Sequence, residues 1–159
     1  MVDDNEPYPA GRPRRVRLSG TVRLPADVTT PLALFTARGE RAWAEGWDPR
    51  FPAPAADDGE PGTVFETAHG QQAATWVVCA REPGRSIGYA RIIPGRSAGT
   101  VTVILGRQPG WPGPVATVSY DLTALTEEAT DELARFAAGF PRFLGHWEAA
   151  IAAAARVTG

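Results

Sequence analysis

Apolar and polar residues alternate over residues 15–24, where the sequence reads RVRLSGTVRL. A period of two residues places the apolar side chains on one face of an extended chain, so this segment is predicted to be a half-buried β-strand. Five later segments have strand-like patterns, and they cover residues 62–68, 74–80, 86–94, 99–105 and 115–124. The first four of these are joined by short, turn-rich connections, which predicts that consecutive strands pair antiparallel.

The hydrophobic period changes in two places. Residues 28–35 and 36–50 carry apolar residues at helical spacing and are predicted to form two short helices after the first strand. Thr126 is a suitable N-cap for a long C-terminal helix, whose apolar residues recur at steps of three and four. Pro141 lies inside that pattern and lacks an N–H, so a bend in a single helix is expected there.

The length of 159 residues predicts a single domain. Residues 1–13 contain three prolines and no periodic apolar pattern, so we expect a flexible N-terminal tail. The predicted domain comprises residues 14–159.

The composition excludes several kinds of chemistry. All 16 basic residues are Arg, which excludes lysine Schiff bases and Walker-type phosphate loops. One Cys and two well-separated His give no zinc-site or HExxH pattern, and no metal or cofactor is expected. A net charge of −2 argues against nucleic-acid partners. The acidic N-terminus and the lack of a long apolar run predict a cytoplasmic protein without membrane insertion.

Several sequence segments resemble those of one known superfamily. They are ERAWAEGWDPRF (40–51), GTVFETAHG (62–70), TWVV (75–78), YARIIPG (89–95) and HWEAAI (146–151). Together with the order of elements, they resemble the SRPBCC or START-related helix-grip superfamily, which includes polyketide cyclases and relatives of the birch-pollen allergen. The resemblance implies an α+β fold in which a curved six-stranded antiparallel sheet wraps around the C-terminal helix. It also implies an elongated cavity between sheet and helix, with the short helices at its mouth.

Tyr89 and Arg91 are the candidate catalytic residues. They are two positions apart on a predicted strand and therefore share a face. If that face is the inner one, Arg91 could orient an oxyanion of a ligand and Tyr89 could donate a hydrogen bond or a proton. If it is the outer one, both side chains lie in solvent. Ile87 and Ile93 share their face and favour the inner placement.

Further residues are predicted to contact a ligand in the cavity. Trp43 and Trp47 are four apart near its expected mouth, where they form either an aromatic lid or an anchor for the short helix. Alternation points Phe65 and Tyr120 inward. The full predicted binding set is Trp43, Trp47, Phe65, Tyr89, Arg91, Tyr120, Phe140 and Trp147.

Three functions fit the resemblance. The sequence supplies no adjacent acid–base pair, so binding of a small, largely apolar ligand, such as an aromatic, polyketide-like or lipid molecule, ranks first. A polyketide cyclase or dehydratase is the alternative, with Arg91 and Tyr89 stabilising oxyanion charge. A non-catalytic protein-interaction module, like the superfamily's chaperone activators, is the second alternative, and a filled core would favour it. The protein is expected to be a monomer or a homodimer.

Overall fold

The computed structural model describes residues 13–69 and 72–158, without the side chains of His69 and Thr158. The predicted N-terminal tail, except for Pro13, lies outside the described residues. Within them the model contains a single six-stranded sheet, two 3₁₀ turns and one long helix. None of the described helices is long and apolar enough to cross a membrane.

All the paired strands of the sheet are antiparallel, as predicted. The strands are β1 (Arg15–Arg23), β2 (Val64–His69), β3 (Gln72–Glu82), β4 (Ser86–Ile93), β5 (Ser97–Gly106) and β6 (Val115–Ala124). Their order across the sheet is β1-β6-β5-β4-β3-β2. The first strand in the chain and the second are therefore the two edge strands, and residues 24–63 connect opposite sides of the sheet.

The two short helices are present as 3₁₀ turns, at Pro31–Phe35 and Gly39–Ala42. Both are shorter than predicted. The backbone is extended at Thr36, which ends the first turn, and Trp43 leaves helical geometry after the second. A β-carbon at position 39 would overlap the carbonyl oxygen of Ala33, so glycine allows the two turns to pack closely together.

The C-terminal segment forms one helix, α1 (Glu127–Thr158), which continues through Pro141. Thr126 caps it as predicted, because its hydroxyl accepts a hydrogen bond from the N–H of Ala129 at 3.2 Å. Glu127 and Glu128 lie in the first turn, where negative charge stabilises the helix dipole.

The helix packs against β1 and β6, which lie at one side of the sheet. Gly20 makes this close approach possible, since a β-carbon there would lie 2.6 Å from Cδ1 of Leu144. Leu144 is buried in this contact. Because the helix packs at one side, the inner faces of the strands farther across the sheet are covered by the 3₁₀ turns and by aromatic side chains.

Candidate ligand-binding cavity

A cavity of about 360 Å³ lies between the sheet, α1 and the 3₁₀ turns. This volume is in the range of small-molecule sites in proteins. Seven of the eight residues predicted to contact a ligand line it, and they are Trp43, Trp47, Phe65, Tyr89, Arg91, Tyr120 and Trp147. The wall is therefore rich in aromatic residues and draws on the turns, the sheet and the helix.

Phe140 is the predicted residue that does not line the cavity. It is buried instead beside Tyr120, with the ring centroids 5.7 Å apart, and close to Gly20. Phe136 and Phe143 supply the helix's share of the wall together with Trp147. Successive residues of a helix are about 100° apart, so Phe140 is rotated by about 40° from Phe136, which is enough to turn it toward the sheet.

Trp43 and Trp47 hold the turn segment through hydrogen bonds, as the anchor interpretation expected, and both also line the cavity. The indole N–H of Trp43 donates to the carbonyl of Leu34 at 2.8 Å, and that of Trp47 donates to the carbonyl of Ala37 at 2.7 Å. The ring of Trp43 meets the ring of Trp147 edge-on, with centroids 5.2 Å apart. These bonds fix two aromatic surfaces at the front of the cavity.

Tyr89 and Arg91 lie on the inner face of β4, the placement that Ile87 and Ile93 favoured. Tyr89 is buried, and its hydroxyl donates to the carbonyl of Phe35 at 2.8 Å. Burial raises the pKa of Tyr89, and the negative charges of Glu40 and Asp58 raise it further. The phenol therefore stays protonated and ties the first 3₁₀ turn to the sheet.

The hydrogen bond from Tyr89 to Phe35 predicts that two tyrosine-to-phenylalanine variants differ in stability. Tyr89→Phe leaves the carbonyl of Phe35 without its partner, so we expect the free energy of unfolding to fall by about 1–3 kcal/mol. Tyr120→Phe is the matched control, because the hydroxyl of Tyr120 has no hydrogen-bond partner among the described residues, and its loss should be smaller. Urea denaturation measures both. Equal losses would show that the Tyr89 bond contributes nothing specific.

Arg91 is a cation in an aromatic environment. Its guanidinium carbon lies 6.0 Å from the ring centroid of Trp76 and 5.9 Å from that of Tyr120. Nη2 donates to the hydroxyl of Ser97 at 3.3 Å, but the buried Nε has no hydrogen-bond partner among the described residues. Burial lowers the pKa of Arg91, although the side chain remains charged at neutral pH. No carboxylate lies within 4 Å of it in the described part of the chain.

Two further polar groups face the cavity. Tyr120 is buried, and burial and the charge of Glu40 raise its pKa, while Arg91 acts in the opposite direction. Glu40 lines the cavity beside Trp43, and burial raises the pKa of its carboxyl group well above the usual value. Sequence reasoning missed Glu40, because a charged residue in a turn-rich segment is normally solvated. The available signal was that Glu40 lies three residues before Trp43, at a spacing that puts both side chains on one side of a helical turn.

Solved structures with this fold come from several bacteria. The chain is similar to an uncharacterised protein of Rhizobium leguminosarum, with a TM-score of 0.61, 19% identity and coverage of 86% of this chain and 94% of the other. It is also similar to CalU16 of Micromonospora echinospora, with a TM-score of 0.56, 17% identity and coverage of 89% and 82%. The Aha1 dimer of Colwellia psychrerythraea gives a TM-score of 0.56 at 14% identity, with coverage of 86% and 95%.

No family model and no curated protein matches the sequence. The similarity therefore lies in the architecture. Because this chain is less than 20% identical to each of the three structures, the ligands or partners of those proteins are not assigned to it. The order of strands, the position of the 3₁₀ turns and the packing of α1 agree with the arrangement that the sequence resemblance implied. The chain has the helix-grip fold.

Proposed function

We propose that this protein binds a small, flat and largely apolar molecule that carries one anionic or oxyanionic group. The observation that carries the proposal is Arg91, a cation that lines an aromatic cavity and has no carboxylate within 4 Å among the described residues. A charge removed from water without a counter-charge is unfavourable for the folded protein. A ligand oxyanion beside the guanidinium would supply this counter-charge, and it would form a charge-assisted hydrogen bond away from competing water.

The aromatic wall determines the shape and polarity of the rest of the ligand. Trp43, Trp147 and Phe143 form successive ring contacts, with centroids 5.2 and 5.1 Å apart. Phe65 and Trp76 stack with their planes 3° apart on the sheet side. Rigid aromatic surfaces on both sides suit a flat apolar skeleton, because such a ligand buries area against both with little loss of conformational entropy.

Binding is favoured over catalysis, and over protein interaction, by two features of the cavity. The hydroxyl proton of Tyr89 is held by the carbonyl of Phe35, so the predicted catalytic pair is left with Arg91 alone. A protein-interaction module was expected to have a filled core, whereas this core contains a cavity of about 360 Å³. Both support a role in which the protein captures a small molecule.

Two dyes of nearly the same shape test the proposal. 8-Anilinonaphthalene-1-sulfonate carries an anionic group, and N-phenyl-1-naphthylamine is the same skeleton without it. Arg91→Met should lower the affinity for the anionic dye about 10- to 100-fold, the usual worth of a hydrogen bond to a charged group, and leave the neutral dye within about twofold. Fluorescence titration gives both affinities.

The control variant is Arg17→Met, which removes an arginine that is 70% exposed on β1. It should leave both affinities unchanged. Equal losses for the two dyes in Arg91→Met would contradict the role of the guanidinium, and failure of both dyes to bind the wild-type protein would contradict the binding function. Native mass spectrometry of freshly purified protein then searches for a natural ligand. This ligand should be retained by the wild-type protein and lost from Arg91→Met.

A further inference from the structure

The carboxyl group of Glu40 is a second polar group that lines the cavity, and no contact with the described residues accounts for it. We propose that Glu40 is the second recognition group of the cavity and donates a hydrogen bond to an uncharged carbonyl oxygen of the ligand. The ligand class is then a flat aromatic oxyanion that also bears a ketone or quinone oxygen. This inference rests on the proposed function, because it assumes that the oxyanion binds Arg91.

The backbone around Glu40 fixes the position of its side chain. The N–H of Glu40 donates to the carbonyl of Thr36 at 3.0 Å, and the carbonyl of Glu40 accepts from Trp43 at 3.2 Å and from Ala44 at 2.8 Å. Both peptide groups are therefore committed to the 3₁₀ turn. The side chain is held in the cavity wall next to Trp43 and Ala44, both of which also line the cavity.

The carboxyl group of Glu40 has no partner among the residues that the structure describes. In the described ranges no cation lies within 4 Å of it, and it makes no hydrogen bond. The nearby arginines of its own segment are engaged elsewhere, since Arg38 donates to the carbonyl of Ala55 and Arg41 donates to the carbonyl of Pro49 at 3.0 Å. Arg41 also lies 3.6 Å from the carboxylate of Asp48.

The other ionisable groups around the cavity come from the sheet and the mouth. Tyr89 and Arg91 project from β4, Tyr120 projects from β6, and Glu45 lies at the mouth. The negative charge of an ionised Glu40 raises the pKa of both tyrosines, and the charge of Asp58 also raises that of Tyr89. Desolvation raises the pKa of Glu40 itself, so it keeps its proton under mildly acidic conditions.

A protonated carboxyl group in an apolar wall is a hydrogen-bond donor that needs an acceptor. A carbonyl oxygen satisfies it without introducing charge into the cavity. An amine on the ligand would instead require Glu40 to ionise, which adds two charges to an aromatic cavity. Neutral oxygen at Glu40 and an oxyanion at Arg91 are therefore the pair of ligand groups that the cavity favours.

Two acids with the same ring skeleton test this inference. Anthraquinone-2-carboxylate and anthracene-2-carboxylate share three fused rings and a carboxylate, and only the first has ring carbonyl oxygens. At pH 5.5 the wild-type protein should bind the quinone about three- to tenfold more tightly, the usual worth of one hydrogen bond, as measured by isothermal titration calorimetry. Glu40→Leu should reduce this ratio to about one.

Two variants separate recognition from folding. Glu40→Gln keeps a donor at this position and should retain the preference for the quinone, and Glu45→Gln, at the cavity mouth, should not change it. When the pH is raised until Glu40 ionises, the wild-type preference should disappear, while that of Glu40→Gln should persist. Thermal unfolding confirms that each variant is folded.

The outcomes distinguish this inference from the proposed function. If neither acid binds the wild-type protein, the proposed function fails. If both bind with equal affinity, the cavity binds aromatic anions but the role of Glu40 is wrong. A preference for the quinone that survives in Glu40→Leu also overturns the inference, because the carbonyl oxygen is then recognised by another group.

Discussion

Phe35→Ala should lower the free energy of unfolding by about 3–5 kcal/mol, the range found for phenylalanine truncation in protein cores. Phe35 is 2% exposed although it lies in a short surface turn. Its ring centroid lies 6.1 Å from that of Trp43 and 6.3 Å from that of Trp147, and its carbonyl accepts the hydroxyl of Tyr89. The substitution keeps this carbonyl but removes the ring that packs the first turn against Trp43 and against Trp147 of the helix.

Urea denaturation monitored by tryptophan fluorescence measures this loss. A thermal midpoint lower by about 6–20 °C should accompany it, from the usual 2–4 °C per kcal/mol for a chain of this size. Phe51→Ala is the control, since Phe51 is only half-buried and packs beside Phe65 at the outer side of the aromatic cluster. A loss at Phe35 no greater than that at Phe51 would mean that the turn is not part of the core.

The turn that contains Phe35 also forms part of the front of the cavity, and several hydrogen bonds hold it there. Residues 24–63 contain little regular structure, yet hydrogen bonds to backbone carbonyls fix the turns at three points. Tyr89 donates to Phe35 from the sheet, and within the segment Trp43 donates to Leu34 and Trp47 donates to Ala37. The cavity front is therefore a packed part of the structure, and substitutions at these contacts should change ligand binding and stability together.

The sheet could be predicted well from the sequence because each strand carries its own signal. Alternation identified the inner faces of β1 and β6, including the placement of Tyr120, and on β4 it left two faces of which the one with Ile87 and Ile93 was favoured. That signal is local, since a side chain two positions along a strand must point to the same face. The turn compositions between the strands then fixed the antiparallel pairing.

The cavity wall was harder to predict because it depends on how elements pack against each other. The apolar stripe of α1 is wide, and only the position of the helix over β1 and β6 decides that Phe143 lines the cavity while Phe140 faces the sheet. Glu40 is a second example. Its inward placement depends on the contact between two 3₁₀ turns at Gly39, which hydrophobic periodicity does not encode.

Glu40→Gln should change the pH dependence of stability in a direction that follows from linkage. Burial raises the pKa of Glu40 in the folded protein, so between the unfolded pKa of about 4.3 and the higher folded value the folded state binds more protons than the unfolded one. The free energy of unfolding contributed by this group then falls as the pH rises, by up to about 1.4 kcal/mol for each pH unit.

Other groups act in the opposite direction but are common to both proteins. Hydrogen bonds from Arg81 and Arg15 lower the pKa of Asp57 and Asp121, respectively, and these exposed carboxylates lose their favourable contacts as the pH falls. Burial moves the pKa values of Tyr89 and Tyr120 further above this window, and Arg91 stays charged throughout it. Subtracting the wild-type curve from that of the variant removes all these contributions and leaves the effect of Glu40 alone.

Urea unfolding at pH 4, 5, 6 and 7 gives the two curves. The variant should gain stability relative to the wild-type protein with every step upward from pH 4, until the pH exceeds the pKa of Glu40 in the folded state. A difference between Glu40→Gln and the wild-type protein that stays constant from pH 4 to pH 7 would mean that the carboxyl group of Glu40 is solvated.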